Sequence, residues 1–419
     1  MLSSWVGGAD DSGYPAEHLP FGVFSTDAGP PRVGVRIGDH VLDLDRLAVD
    51  GLVSLDADAE AGTSGVFGAA SLNPFLARGP TAWHAVRHRL TDLVCDPAAQ
   101  ARVAPALVPL AAATLHMPIA VADYVDFYSS REHATNLGRL FRPDAEPLLP
   151  NWRHLPVAYH GRSGTVVVSG TPVPRPSGQR REGDRSVTFG PSTRLDIELE
   201  LGFVVGVPSP PGEPVPIAEA AEHVFGVALV NDWSARDIQA WEAQPLGPFL
   251  GKSFATTMSA WVTPLEALAA CRVTGPSQDP EPLPYLRLGE RWGLALDLEV
   301  ALRPQGAGVA TTISRTSAAG LYWRMPQQVA HLTVNGAHLR TGDLLASGTI
   351  SGPERGSEGS LIELTRGGTE PLDVAGQARA FLEDGDEVVL RGRTHPAAGV
   401  TIELGEAAGR ITPAPTCGG

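Results

Sequence analysis

The chain has 419 residues and a formal net charge of −15, which suits two domains or one elaborated domain and argues against a nucleic-acid surface, where clustered Lys and Arg meet phosphates. No run reaches the ~18 apolar residues of a membrane span, and the opening MLSSWVGGADDSG has neither the basic region nor the apolar stretch of a signal peptide. Cys95, Cys271 and Cys417 are too few and too scattered for a disulfide framework or a zinc knuckle, and fit reduced thiols in a cytoplasmic protein.

In chain order, FGVFST, RVGVRIG and HVLDLDRL read as strands of a small β unit, with IGDH turning between two of them. Helical spacing then sets Trp83, Val86, Leu90 and Leu93 of TAWHAVRHRLTDL on one face. The Ala- and Pro-rich stretch from Ala101 to Ala113 reads as a linker. It places a domain boundary near Met117, giving units 1–117 and 118–419. Strands dominate from there: GTVVVSG, DIELELGFVVG, VFGVALV, GLALDLEVAL, LIELT, DEVVLRG and TIELG, joined by turns such as SGTP and EDGDE. SARDIQAWEAQ and PQQVAHLTVNG read as helices. Many short strands and few helices predict a mainly β fold with some α, rolled or sandwiched rather than doubly wound.

DIELELGFVVG carries Glu198 and Glu200. Residues two apart on a strand share a face, which sends Ile197, Leu199 and Leu201 to the core. Two adjacent carboxylates repel each other unless solvent or a cation lies between them. Asp232 ends the apolar run VFGVALVN, and Asp126 stands among aromatics in DYVDFYSSREH. Four acids with no cysteine nearby form an oxygen-rich set, which suits Ca2+ or Mg2+ rather than zinc. His133, in SSREHATN, is a candidate base beside Asp126, Tyr128 and Arg131, although a packed histidine is the commoner case.

Arg236 and Gln239 stand three apart on a helix that begins after Asp232, hence on one face. SGTISGPERGSEGSLIEL reads as a Gly/Ser-rich loop entering a strand at Leu361, with Thr349 and Glu363 as its chemical residues. Lys252, in GPFLGKSFATT, is the only lysine; every other basic residue is arginine. An ammonium is a compact charge that burial can tune, and a planar guanidinium does not replace it. That gives this position a reason to be Lys.

DYVDFYSSREHATN, PNWRHLPVAYHGR, LDIELELGF, VNDWSARDIQAWE, PLGPFLGKSF and LLASGTISGPE resemble, in order and spacing, the motifs of the two-domain fumarylacetoacetate hydrolase family. HLPFGVFST and IGDHVLDL resemble its N-terminal domain, so the likeness covers nearly the whole chain. It implies an SH3-like small barrel followed by a larger mixed β-sandwich roll, usually as a homodimer. It implies Ca2+ on Asp126, Glu198, Glu200 and Asp232, and Mg2+ near Asp232, Lys252 and Thr256. It further implies His133 as general base oriented by Glu363. Substrate contacts fall on Tyr128, Arg142, Gln239 and Thr349, and stabilisation of developing negative charge falls on Arg236, Gln239 and Lys252. The implied reaction is hydrolysis of the carbon–carbon bond of fumarylacetoacetate to fumarate and acetoacetate, the last step of tyrosine and phenylalanine breakdown.

Two positions depart from the family pattern. Ala243 stands where a substrate-contacting tyrosine is usual, and Ala255 where glycine is usual, so Ala255 must hold a backbone conformation that alanine tolerates. Two other readings use the same residues. One is a related decarboxylase, acylpyruvate hydrolase or isomerase; the other is a cation-stabilised binding protein without catalysis. The intact set of His133, Glu363, Arg236, Gln239 and Lys252 weighs against the second.

Overall fold

The strand Val224–Asp232 is buried along its whole length and forms the spine of the protein. In the computed structural model, which describes residues 2–27, 29–55, 65–183, 186–289, 291–395 and 399–416, this strand pairs antiparallel with Leu199–Val205 on one side and with Thr256–Met258 and Trp261–Pro264 on the other. From Leu199–Val205 the sheet runs on to Leu344–Ala346, Tyr124–Phe127 and Ala158–His160. From Trp261–Pro264 it runs to Phe21–Thr26, Gly29–Ile37, His40–Asp43 and Leu107–Pro109. The N-terminal β unit is therefore hydrogen-bonded into the same 13-stranded sheet as the acid-bearing strands.

A five-stranded sheet covers one face, in the order Thr311–Ser317, Leu296–Arg303, Glu387–Thr394, Glu403–Thr412 and Val173–Pro174. Strand alternation divides the apolar side chains between two cores. Ile197, Leu199, Leu201, Val227 and Leu229 meet Leu298, Val300, Leu390 and Leu404 between the sheets. Val204, Ala228 and Val230 turn the other way, toward the core of Phe21, Phe75 and Trp83. The architecture is mainly β with some α: a small N-terminal β unit beside a larger sandwich roll, as the sequence implies.

Several elements differ from their sequence reading. HVLDLDRL is a strand only to Asp43; the Asp43 side chain then accepts the Arg46 N–H at 3.1 Å and caps a helix over Leu44–Val49. The Ala101–Ala113 stretch is not a free linker, because Leu107–Pro109 pairs with His40–Asp43 as an edge strand. LIELT is not a strand but a short helix over Leu361–Leu364. DIELELGFVVG is broken into Leu195–Asp196 and Leu199–Val205. There the side chains of Asp196 and Asn231 take the N–H groups of Ile197 and Glu198, at 2.8 and 3.1 Å. Side-chain acceptors of this kind compete with the ladder. His133 lies on a helix, Arg131–Phe141, that the sequence did not announce. Positive φ at non-glycine positions occurs, among the described residues, at Leu19, Arg366 and Ala375, so Ala255 is unstrained as expected. Cys95 and Cys271 are free thiols, and Cys417 lies outside the described residues.

His18 ties the N-terminal segment to the spine. It is fully buried; its ring meets Thr263 Oγ1 at 2.9 Å and Gly13 O at 3.1 Å. Burial dominates its titration and lowers its pKa from the ordinary 6.5 to about 3. The unfolded chain thus binds the proton more readily, and stability is lost as pH falls below 6.5 toward about 3. By pH 5 the loss is about 2 kcal/mol. Urea melts at pH 7 and pH 5 should show a smaller difference in His18→Gln than in the parent; equal differences would exclude His18 as the cause.

Candidate metal and active site

Neighbouring strands, and the break between two of them, assemble the acid set. Asp126 sits on Tyr124–Phe127, opposite Ala346. Asp232 ends Val224–Asp232, and Glu200 sits opposite Val230. Glu198 occupies the break before Leu199, where Asn231 Oδ1 holds its N–H. One carboxylate oxygen from each of Asp126, Glu198, Glu200 and Asp232 lies within 4.8 Å of the others. All four residues are buried. Asp126 Oδ1 and Glu200 Oε1 have no hydrogen-bond partner among the described residues. Buried carboxylate oxygens left bare are costly, and an oxygen-only donor set matches a hard divalent cation. The residues fit a metal ion.

The charge balance is lopsided. Burial, then the charge of Asp232, pushes the Asp126 carboxyl well above its ordinary range. Burial, then Asp126 and Glu198, does the same to Glu200. Glu198 goes the other way: burial raises it, but Lys252, Arg236 and then His133 hold it down at about 2. The Lys252 ammonium is bonded to Glu198 Oε2 and, at 2.7 Å, to Asp232 Oδ2. Burial opposes its charge, yet Asp232 and Glu198 prevail and keep it protonated. Glu242 fixes the turn that carries Lys252, its Oε1 accepting from Phe249 N at 2.9 Å and Gly251 N at 2.7 Å. Arg236 Nη2 lies 2.8 Å from Glu198 Oε1. Both cations thus serve the Glu198–Asp232 side, and neither bonds Asp126 or Glu200.

His133 Nδ1 is 2.6 Å from Glu363 Oε2, and its Nε2 faces the acids, 3.9 Å from Glu198 Oε1. A carboxylate at Nδ1 selects the tautomer with the proton there and leaves Nε2 as an acceptor. Ser360 Oγ and Ser351 Oγ donate to Glu363 Oε2 at 2.6 and 3.0 Å, and Asn136 Nδ2 donates to Oε1 at 2.9 Å. Burial raises the Glu363 carboxyl, but His133, Ser360 and Asn136 outweigh it and hold it below its ordinary range.

The remaining expected residues divide. Arg236 Nη1 donates to Gln239 Oε1 at 3.3 Å, so the pair shares a helix face. Thr256 Oγ1 donates to Asp232 Oδ1 at 3.1 Å. Tyr128 stands edge-on to His133, ring centroids 5.2 Å apart. Thr349 Oγ1 is buried with no partner among the described residues. Arg142 is not drawn into the acid set; its Nη2 donates to Pro147 O at 2.9 Å, past the end of the His133 helix. Three residues that sequence reasoning missed join the site. Tyr159 donates to Asp232 Oδ2 at 2.6 Å, Asn136 holds Glu363, and the buried Asp196 pairs with Arg236 Nε at 2.7 Å. Asn136 had a local signal in its i+3 spacing from His133, and Asp196 in its i−2 spacing from Glu198.

A cavity of about 380 Å³ opens beside Lys252 and Tyr159, lined also by Tyr124, Arg162 and Phe249. A larger one of about 830 Å³ lies among Tyr14, Trp261, Glu299 and Arg391 and touches none of the acids. Donor chemistry, not size, places the site.

A mainly β sandwich roll with buried oxygen ligands beside a histidine–carboxylate pair defines a metal-assisted enzyme class. Residues 123–412 match the family profile described as Fumarylacetoacetate (FAA) hydrolase C-terminal, and residues 17–118 match Fumarylacetoacetase N-terminal. The chain is 48% identical over 422 residues to fumarylacetoacetase of Rattus norvegicus, covering 98% of this chain and 99% of that one. It is 43% identical to the Arabidopsis thaliana fumarylacetoacetase, covering 99% of each. In fold it is similar to fumarylacetoacetate hydrolase from Exiguobacterium antarcticum, with TM-score 0.52 and 17% identity over 94% of this chain and 99% of that one. The chain belongs to the fumarylacetoacetate hydrolase family.

Stripped of divalent cations, Glu200→Gln should be at least as stable as the parent at neutral pH, because it removes a buried charge that its neighbours repel. The rise in Tm on adding Ca2+ should shrink in the same variant. A stripped variant that melts lower and keeps the full Ca2+ response would exclude Glu200 from the cation site.

Proposed function

We propose that this protein hydrolyses the carbon–carbon bond of fumarylacetoacetate, giving fumarate and acetoacetate, and so completes tyrosine and phenylalanine breakdown. The observation that carries the reading is the His133–Glu363 pair aimed at four buried carboxylates, in a chain that aligns end to end with fumarylacetoacetases. Asp126, Glu198, Glu200 and Asp232 would hold Ca2+, with Mg2+ near Asp232, Lys252 and Thr256. The metal, when bound, supplies Lewis-acid polarisation of a ketone oxygen.

The chain's own residues account for the rest. His133 Nε2 takes a proton from water, and Glu363 holds the ring and stabilises the imidazolium. Hydroxide equivalents add at the carbonyl carbon; the bond to the adjacent carbon breaks, and its electron pair leaves as an enolate. A proton returned to that carbon completes acetoacetate. Lys252 has three N–H donors and uses two on Glu198 and Asp232, so one remains for an enolate oxygen. Arg236 and Gln239 support that charge from behind Glu198. Tyr128, Thr349 and Arg142 would bind substrate, Arg142 through a terminal carboxylate. Ala243 removes one hydroxyl contact from this set.

The same proposal includes a boundary near Met117, a homodimer, and a cytoplasmic location. No described helix is long and apolar enough to cross a membrane.

Loss of fumarylacetoacetate absorbance should be catalysed by the parent and suppressed by excess chelator. His133→Ala should lose turnover by about 10²-fold or more and still bind metal. Full activity in chelator would remove the cation from the reaction, and parental turnover in His133→Ala would remove the base. Lys252→Arg keeps the charge and the backbone carbonyl. Turnover should still fall about 10-fold or more, with metal content unchanged; near-parental turnover would leave only the carbonyl as the reason for Lys.

A further inference from the structure

The placements of His133 and of Arg236 meet at one carboxylate. Asp196 is fully buried. Its Oδ1 accepts the N–H of Leu361 at 2.7 Å and of Ile197 at 2.8 Å. Its Oδ2 accepts Arg236 Nε at 2.7 Å and the N–H of Ile362 at 3.2 Å. Leu361 and Ile362 open the helix that presents Glu363 to His133. Arg236, on the other side, lies 2.8 Å from Glu198 Oε1, and that oxygen is 3.9 Å from His133 Nε2. The contacts close a ring through Asp196, the Glu363 helix, His133, Glu198 and Arg236.

The ring has a physical reason. A helix of Leu361–Leu364 is a single turn and has no stability of its own. Its first amides are buried and need acceptors. A neutral acceptor would satisfy the amides but leave the buried guanidinium of Arg236 with one counter-charge fewer. A carboxylate serves both at once. It also makes the depth of Glu363 and the reach of Arg236 depend on the same pair of oxygens. Ser360 and Ser351 steady Glu363 from their own side, but neither touches Arg236.

We propose that Asp196 is the positioning residue that sets the His133–Glu363 pair and Arg236 in register across the acid set. It touches no substrate and acts through its neighbours. The assignment rests on the hydrolytic reading above and adds to it a residue on which the alignment depends.

The test uses the metal-loaded full chain with Asp196→Asn, which keeps shape and removes charge, and Asp196→Glu, which keeps charge and displaces the carboxylate. For fumarylacetoacetate, kcat should fall about 10- to 100-fold in both, with KM changed less than about 3-fold. Bound metal per chain should not change. In a Glu363→Gln background Asp196→Asn should cost kcat clearly less than it does in the parent, because the base is already misaligned and only the Arg236 contribution remains to be lost. A second readout needs no turnover. The His133 Nδ1–H proton in its short bond to Glu363 should give a far-downfield NMR resonance, assigned by its loss in His133→Gln, and Asp196→Asn should shift or broaden it.

Parental kcat in either variant, full additivity with Glu363→Gln, or an unmoved resonance overturns the proposal. If Asp196→Asn does not fold, Asp196→Glu and its own cycle with Glu363→Gln decide. Failure of both to fold makes the role structural and also overturns it. A parent chain without activity on fumarylacetoacetate would refute the hydrolytic reading, and the resonance would still judge the positioning.

Discussion

Mutual repulsion among four buried carboxylates governs this protein. Their nearest oxygens lie within 4.8 Å of one another, a separation at which each ionised pair opposes burial by about 3 kcal/mol at an effective dielectric of about 20. Lys252 and Arg236 bond only two of the four acids: both address Glu198, and only Lys252 reaches Asp232. Neither cation bonds Asp126 or Glu200, and those are the carboxyls that burial and their neighbours push upward. A divalent cation would contribute most on that side.

The same arrangement explains the solitary lysine. Its nitrogen sits between Glu198 and Asp232 deep in the protein, where a planar fork of five donors would need more room and more acceptors. Glu242 holds the adjoining turn by two amides, so the ammonium is delivered on a fixed stem. His133 is treated alike: three side chains converge on Glu363 before it meets the imidazole. Lys252 and His133 therefore each have their own support.

Departures from regular structure gather at the site. The ladder breaks where Asp196 and Asn231 take backbone donors, and that break turns Glu198 toward the acids. Asp196 also accepts the first amides of the helical turn at Glu363. Local rules fail here for a shared reason: polar side chains buried for chemistry must also satisfy the nearest backbone.

Much was legible in the sequence. Alternation alone placed Ile197, Leu199 and Leu201 in the inter-sheet core, and an apolar run ending in an acid placed Asp232 at the end of a buried strand. Composition marked Lys252, and motif likeness drew together residues as distant as His133 and Glu363. Periodicity reads only neighbours, so it took Leu361–Leu364 for a strand and missed the His133 helix. It could not name the partners of Asp196 or Tyr159, which lie far along the chain. Strand faces and charge types are local properties that the sequence itself determines. Which oxygen meets which proton depends on pairings across hundreds of residues, and those only the tertiary structure decided.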